Sequence, residues 1–135
     1  MINFELTIII PVLNNDIGLI NNINSILSQS CPTLELIVID GGSTDGTLDV
    51  IDSYKKHIAY FETGLDSGIA DAFNRGIAHA TGEIFGILNS DDVLDPNALK
   101  HLISALDQMP AADIYYGAIR YYDPLHKTPS FRQLK

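Results

Sequence analysis

Two carboxylates stand side by side at Asp91-Asp92, where the apolar run from Ile84 to Leu88 gives way to Asn89-Ser90. Like charges this close repel unless a cation or a hydrogen-bonding ligand compensates them. Mg²⁺ or Mn²⁺ suits such a pair, because these ions take one or two protein carboxylates and leave other positions to substrate phosphates. Taken alone, an Asp-Asp pair is more simply a helix cap or a turn. Asp40 is a second candidate, since the glycines after it let backbone approach a ligand that its carboxylate faces, such as a pyrimidine NH and a ribose hydroxyl. An Asx-turn is the alternative there. The stretch from Asp40 to Thr47 lacks the Lys-Ser or Lys-Thr of a P-loop and does not match GxGxxG. A third group, Gly64, Asp66, Gly68, Asp71, Asn74, Arg75 and Gly76, surrounds the start of a helix. Arg75 is the base placed to meet a diphosphate, and an ion pair with Asp71 four residues earlier is the equal alternative. His57, His79, His101 and His126 show no metal-ligand spacing and read as solvated or partly packed.

Apolar runs of strand length alternate with stretches of helical period, the pattern of βαβ units around a parallel sheet buried on both faces. Strands are expected over Leu6 to Val12, Leu34 to Ile39, Ile58 to Glu62, Ile84 to Leu88 and Asp113 to Tyr122. Helices are expected over Asp16 to Ser28, over Thr47 to Lys56, along the stripe Ile69, Ala72, Phe73, Ile77 and Ala80, and from an Asp95 cap with Pro96 at the first helical position. In open parallel sheets ligands bind beyond the carboxyl ends of the strands. There the loops collect Asn14, Asn15 and Asp16, then Asp40 and Asp45, then Asp66, then Asn89, Asp91 and Asp92.

At 135 residues and 46% hydrophobic, the chain has material for one core. A net charge of -9 argues against a nucleic-acid surface, which needs clustered Lys and Arg. Thirteen of the acids are Asp, a residue that favours loops and caps. The single Cys31 has no disulfide partner, reads as a small buried hydrophobe and fits a reducing compartment. The first residues lack a basic secretory start and Leu6 to Leu13 is too short to span a bilayer, so the expected location is the cytoplasm or the membrane periphery.

Four ordered segments carry a more specific signal: Thr7 to Asn14, Ile37 to Thr47, Asp66 to Gly76 with Ala80 to Glu83, and Leu88 to Asp92. Together they resemble the family 2 nucleotide-sugar glycosyltransferases of the GT-A fold. The resemblance implies an α/β, Rossmann-like, mostly parallel sheet flanked by helices and incomplete at its C-terminus, with a donor-binding domain over residues 1–123 and an irregular tail or acceptor-region start over 124–135. It implies donor binding by Pro11, Asn14, Asp40, Gly42, Asp66, Gly68, Asn74, Arg75 and Asp91, and a metal, Mg²⁺ or Mn²⁺, on Asp91 and Asp92. Asn89 stands where many relatives have the first Asp of a DxD-type motif, and Asn14-Asn15-Asp16 departs from a Tyr before the Asn and a Glu soon after it. The implied activity is inverting transfer from a nucleoside diphosphate sugar, expected to be a UDP-sugar, to a glycan, lipid-linked or other hydroxyl acceptor, as in polysaccharide biosynthesis. The catalytic base is expected outside this chain, and a membrane-associated assembly or homo-oligomer is compatible. The alternative is a non-catalytic nucleotide-sugar-binding or assembly module.

Overall fold

The computed structural model describes residues 5–31, 33–121 and 130–132. Strands β1 (Leu6–Val12), β2 (Leu34–Asp40), β3 (Tyr60–Thr63) and β4 (Ile84–Ile87) alternate with helices α1 (Asp16–Leu27), α2 (Thr47–Tyr54) and α3 (Ile69–His79), and α4 (Ala98–Gln108) follows β4. All pairings among these four strands are parallel and the order is β3-β2-β1-β4, so the expected α/β sheet is present. Among the described residues, no helix is long and apolar enough to cross a membrane.

Alternation of side chains divides the core in two. Leu6, Ile8, Ile10 and Val12 of β1, with Leu36 and Val38 of β2, pack against Leu19, Ile23 and Ile26 of α1, Ile51 of α2 and Leu99 of α4. Ile9, Ile37 and Ile39 point to the opposite face and meet Ala72 of α3. Every residue of β1 is buried, and each fully buried Ile or Leu contributes about 1.5–3 kcal/mol relative to exposure. The edge strands β3 and β4 alternate half-buried and exposed residues, so the centre dominates stability. Cys31 lies half-buried against the larger cluster.

At the amino end of the sheet, Glu35 ties β2 to β1 and to the turn before β4. Its carboxylate accepts from Thr7 Oγ1 and from Thr81 N and Oγ1, and Thr7 Oγ1 in turn accepts from Gly82 N at 3.0 Å. Burial pushes the Glu35 carboxyl up, but the bonds from Thr81, Thr7 and Gly82 outweigh it and hold the group below its ordinary value. A lowered carboxyl pKa contributes stability above the unfolded value and loses it as pH falls through the folded one. The melting temperature should therefore decline on acidification below about pH 4.5, and Glu35→Gln should flatten that decline. An unchanged acid limb in the variant would refute the assignment.

Several boundaries differ from expectation. β3 begins at Tyr60, two residues late, and α1 and α2 end at Leu27 and Tyr54. The helix expected from an Asp95 cap starts at Ala98 instead, after Asn97 in the left-handed region (φ 67°). Its amide at Leu99 is capped by Gln29 Oε1, just past the end of α1, at 2.8 Å, while the Asp95 carboxylate pairs with Arg120 at 3.2 Å. Among the described residues of the long last strand, 113–118 do not form it and Ile119–Tyr121 does, as β5. It pairs antiparallel with β6 (Ser130–Arg132), and not with the main sheet. Alternating Ile and Tyr make a strand only where a sheet edge receives them, and here Ile114 and Tyr116, which lie before β5, are exposed. Tyr122 and Asp123 lie outside the described residues.

Candidate functional site

The chain steps from β1 outward through β2 to β3, then returns across β1 to place β4 on its other side. Strand order therefore reverses between β1 and β4, and in open parallel sheets it is at such a reversal that the loops part to form the ligand crevice. Pro11 sits at the lip of it. A proline inside a central strand removes a ladder donor, yet here the loss falls on the open side. Leu88 N donates to Ile9 O at 3.0 Å, and the pairing of β1 with β4 ends at Ile9. The next rung would need an N–H at residue 11. On the other side the ladder to β2 continues to Val12, whose carbonyl accepts from Gly41 N at 2.9 Å.

Asn14 closes β1 in the left-handed region (φ 49°), which Asn tolerates better than most residues. It stitches the first loop to the second: its N–H donates to Ser43 Oγ at 2.8 Å and its Oδ1 accepts from Thr44 N at 2.7 Å. One residue on, Asn15 N donates to Thr47 Oγ1 at 3.1 Å. Asp45 accepts from Thr47 N and Oγ1, and the hydroxyl bond from Thr47 first of all holds its carboxyl below the ordinary value. Asp40 is fully buried. Its carboxylate accepts from Gly42 N at 3.1 Å, Ser43 N at 3.0 Å, Ser43 Oγ and Thr63 Oγ1 at 2.6 Å. This is the Asx-turn geometry, reinforced from β3, and Gly42 at φ 92° is the residue that lets the chain turn so tightly.

The loop after β3 leans on the loop after β2. A Cβ on Gly41 would come within 2.9 Å of Asp66 Oδ2, and one on Gly42 within 3.5 Å of the Leu65 side chain. Asp66 Oδ1 accepts from Gly68 N at 3.0 Å, across a glycine at φ 111°. Arg75 is half-buried and committed within the protein, pairing with Glu62 and Asp71 at 3.1 Å each and donating to Leu65 O at 3.1 Å. It thus anchors the loop that carries Asp66. Asn74 is exposed on α3, and His79 stacks on Tyr60.

The fourth loop brings Asp91 and Asp92 to the crevice, both exposed. Asp92 N closes a turn onto Asn89 O at 2.9 Å. Burial and then the neighbouring Asp91 charge raise the Asp92 carboxyl above its ordinary value. None of the ion pairs among the described residues includes either carboxylate. Across the crevice, Asn15 Nδ2 donates to Ser90 Oγ at 3.2 Å, joining the ends of β1 and β4. Residues with no assigned role in the sequence reading hold this region. Asn22 of α1 holds the turn directly, its Nδ2 donating to Asn89 O and Asp92 O. Downstream of the turn, Ser25 Oγ accepts from Leu94 N, and Gln29, just past the end of α1, donates from Nε2 to Asp95 O. The signal available was their spacing, since Asn15, Asn22, Ser25 and Gln29 follow one another at intervals of seven, three and four residues, the period of a helix.

Among the described residues no group of three or more His, Cys, Asp or Glu is placed to hold a metal by itself. Two hard, uncompensated carboxylates do fit a Mg²⁺ or Mn²⁺ ion whose remaining positions go to water and ligand phosphate. The site thus combines a closed polar loop cluster beyond β1 to β3 with an anionic pair beyond β4.

The family model described as "Glycosyl transferase family 2" matches residues 7–133. A curated relative, a "PGL/p-HBAD biosynthesis glycosyltransferase" of Mycobacterium tuberculosis, is 33% identical over 130 residues, covering 93% of this chain and 49% of that protein. The chain thus spans about half the length of that relative. Among solved structures, the mannosyltransferase PcManGT of Pyrobaculum calidifontis in complex with GDP-Man and Mn²⁺ superposes with TM-score 0.71 at 27% identity, covering 78% of this chain and 33% of that one. The S. aureus TarS 1–349 complex with UDP-GlcNAc shares the fold, with TM-score 0.73 at 24% identity over 78% of this chain and 32% of that one.

Proposed function

The chain belongs to glycosyl transferase family 2, and from that membership we propose that its crevice binds the nucleoside diphosphate of a sugar donor, a UDP-sugar in the first instance, with Asp91 and Asp92 holding a divalent metal. The observation that carries the reading is the Asp91-Asp92 carboxylates, in no ion pair among the described residues, beside the Asn14 and Asn15 loop at the strand-order reversal. A similar mannosyltransferase structure that contains GDP-Man and Mn²⁺ supports it. Bound there, a Mg²⁺ or Mn²⁺ ion would neutralise charge on the departing diphosphate.

Asp91 and Asp92 supply the hard oxygens, and Asn15 fixes the spacing of the two lips through Ser90. The nucleobase lies against the loop of Gly41 and Gly42, where the exposed Leu13 (58%) and Leu65 (87%) offer apolar surface on either side. A base contact by Asp40 exchanges one of the bonds it now accepts from Ser43 or Thr63. Pro11, Gly42, Asp66 and Gly68 shape the pocket, while Arg75 orders the loop around Asp66 and Asn74 stands on the outer face of α3. The whole protein transfers the sugar to an acceptor hydroxyl with inversion, in the biosynthesis of a glycan or a lipid-linked sugar.

UDP or GDP at about 100 times its dissociation constant, together with Mn²⁺, should stabilise the chain by roughly 2.7 kcal/mol and raise its melting temperature by several degrees. No shift with either nucleotide and either Mg²⁺ or Mn²⁺ sinks the donor-site reading. Nucleoside diphosphate release by this chain without an acceptor half would refute placement of the catalytic base outside it.

A further inference from the structure

The geometry points to Asn22 as the positioning residue for the Asp91-Asp92 turn, an inference that rests on the proposed reading of that pair as a metal site. Asn22 lies in the middle of α1 and is fully buried. Its amide nitrogen donates to Asn89 O at 2.8 Å and to Asp92 O at 2.9 Å. Those carbonyls belong to the first and last residues of the turn that Asp92 N closes onto Asn89 O. One side chain therefore grips both ends of the segment that carries both carboxylates. With the two carbonyls drawn toward α1, the acids are left exposed.

An apolar residue is the expected occupant of this position, because Leu19, Ile23 and Ile26 on the same helix are themselves fully buried. The amide also leaves its Oδ1 buried without a hydrogen-bond partner among the described residues. A buried unpaired acceptor is destabilising, and a native protein retains one where the same group does something else. Here that is the double grip on the turn. The neighbouring Ser25 serves a different stretch: its hydroxyl accepts from Leu94 N at 3.0 Å, downstream of the turn. It is the matched control, on the same face of α1.

Asn22→Leu keeps the branching and the number of side-chain heavy atoms and removes both donors. Mn²⁺ binding in the presence of saturating UDP or GDP, titrated by electron paramagnetic resonance well below the melting temperature, should weaken about tenfold, as for loss of a group that orients metal ligands. Hydrogen exchange at the Asp92 amide should accelerate in parallel, and Ser25→Ala should leave both readouts near wild type. Unchanged Mn²⁺ affinity or unchanged Asp92 exchange in Asn22→Leu overturns the inference, as does an equal loss in Ser25→Ala. If Asn22→Leu does not fold, Asn22→Ala carries the same comparison. A wild-type chain that binds no Mn²⁺ overturns the metal-site reading instead, and Asp92 exchange then decides whether the grip exists.

Discussion

Asp92→Asn is expected to leave the metal-free chain folded and slightly more heat-stable while weakening Mn²⁺ binding with UDP or GDP by about 100-fold, close to 2.7 kcal/mol. The two effects share one cause. Partial desolvation of this otherwise exposed side chain, and then the adjacent Asp91 charge, raise the Asp92 carboxyl, so ionising it is less favourable in the folded than in the unfolded chain. For an acid with a raised pKa that penalty is present above the folded value and is relieved as pH falls through it. The amide carries no penalty at any pH. The difference in melting temperature between variant and wild type should therefore be visible at pH 7 and shrink toward pH 4. Metal binding moves the other way because asparagine removes a charged ligand. A variant that binds Mn²⁺ as tightly as wild type would place the metal elsewhere.

Gly82→Ala should destabilise the chain by about 3 kcal/mol, at the upper end of what overpacking a tight contact costs. Its Cβ would lie 2.7 Å from Glu5 O, 2.7 Å from Thr7 Oγ1 and 2.8 Å from Thr7 N. Two of those atoms are backbone at the start of the central strand, and the third is held by Glu35 and by Gly82 itself. None is the free end of a flexible side chain. Against a typical total of about 5–15 kcal/mol this is a large loss, and it should appear as a lower urea midpoint with an unchanged slope. A loss under about 1 kcal/mol would show that β4 can shift, contrary to the packing.

The parts of this fold that sequence made legible are those decided locally. Uninterrupted β-branched runs locate β1 and β2, because a strand buried on both faces needs apolar residues at every position. The loops with Asn14, Asp40, Asp66 and Asp91 follow from Asp, Asn and Gly after those runs. What escaped depends on contacts between distant segments. The start of α4 is set by Gln29, 70 residues away from the amide it caps, so the local Asp-Pro signal pointed too early. The alternating Ile and Tyr after Asp113 carry strand propensity, but their described partner is β6 and not an edge of the main sheet. Asn22 reads as an ordinary polar helix residue until the turn it grips is folded beside it, and whether Asp40 meets a ligand or a turn depends on Thr63, 23 residues on.

The proline in β1 has a consequence for how this sheet assembles. Parallel strands that share a register tend to keep pairing as long as donors and acceptors alternate. After Leu88 N has found Ile9 O, the zipper between β1 and β4 meets a residue with no hydrogen to offer. The pairing ends there, so the acidic segment is not drawn into the ladder. The mouth of the crevice is thereby fixed by backbone chemistry before any ligand arrives, and replacing that proline by almost any other residue would supply the missing hydrogen and let the mouth begin to close.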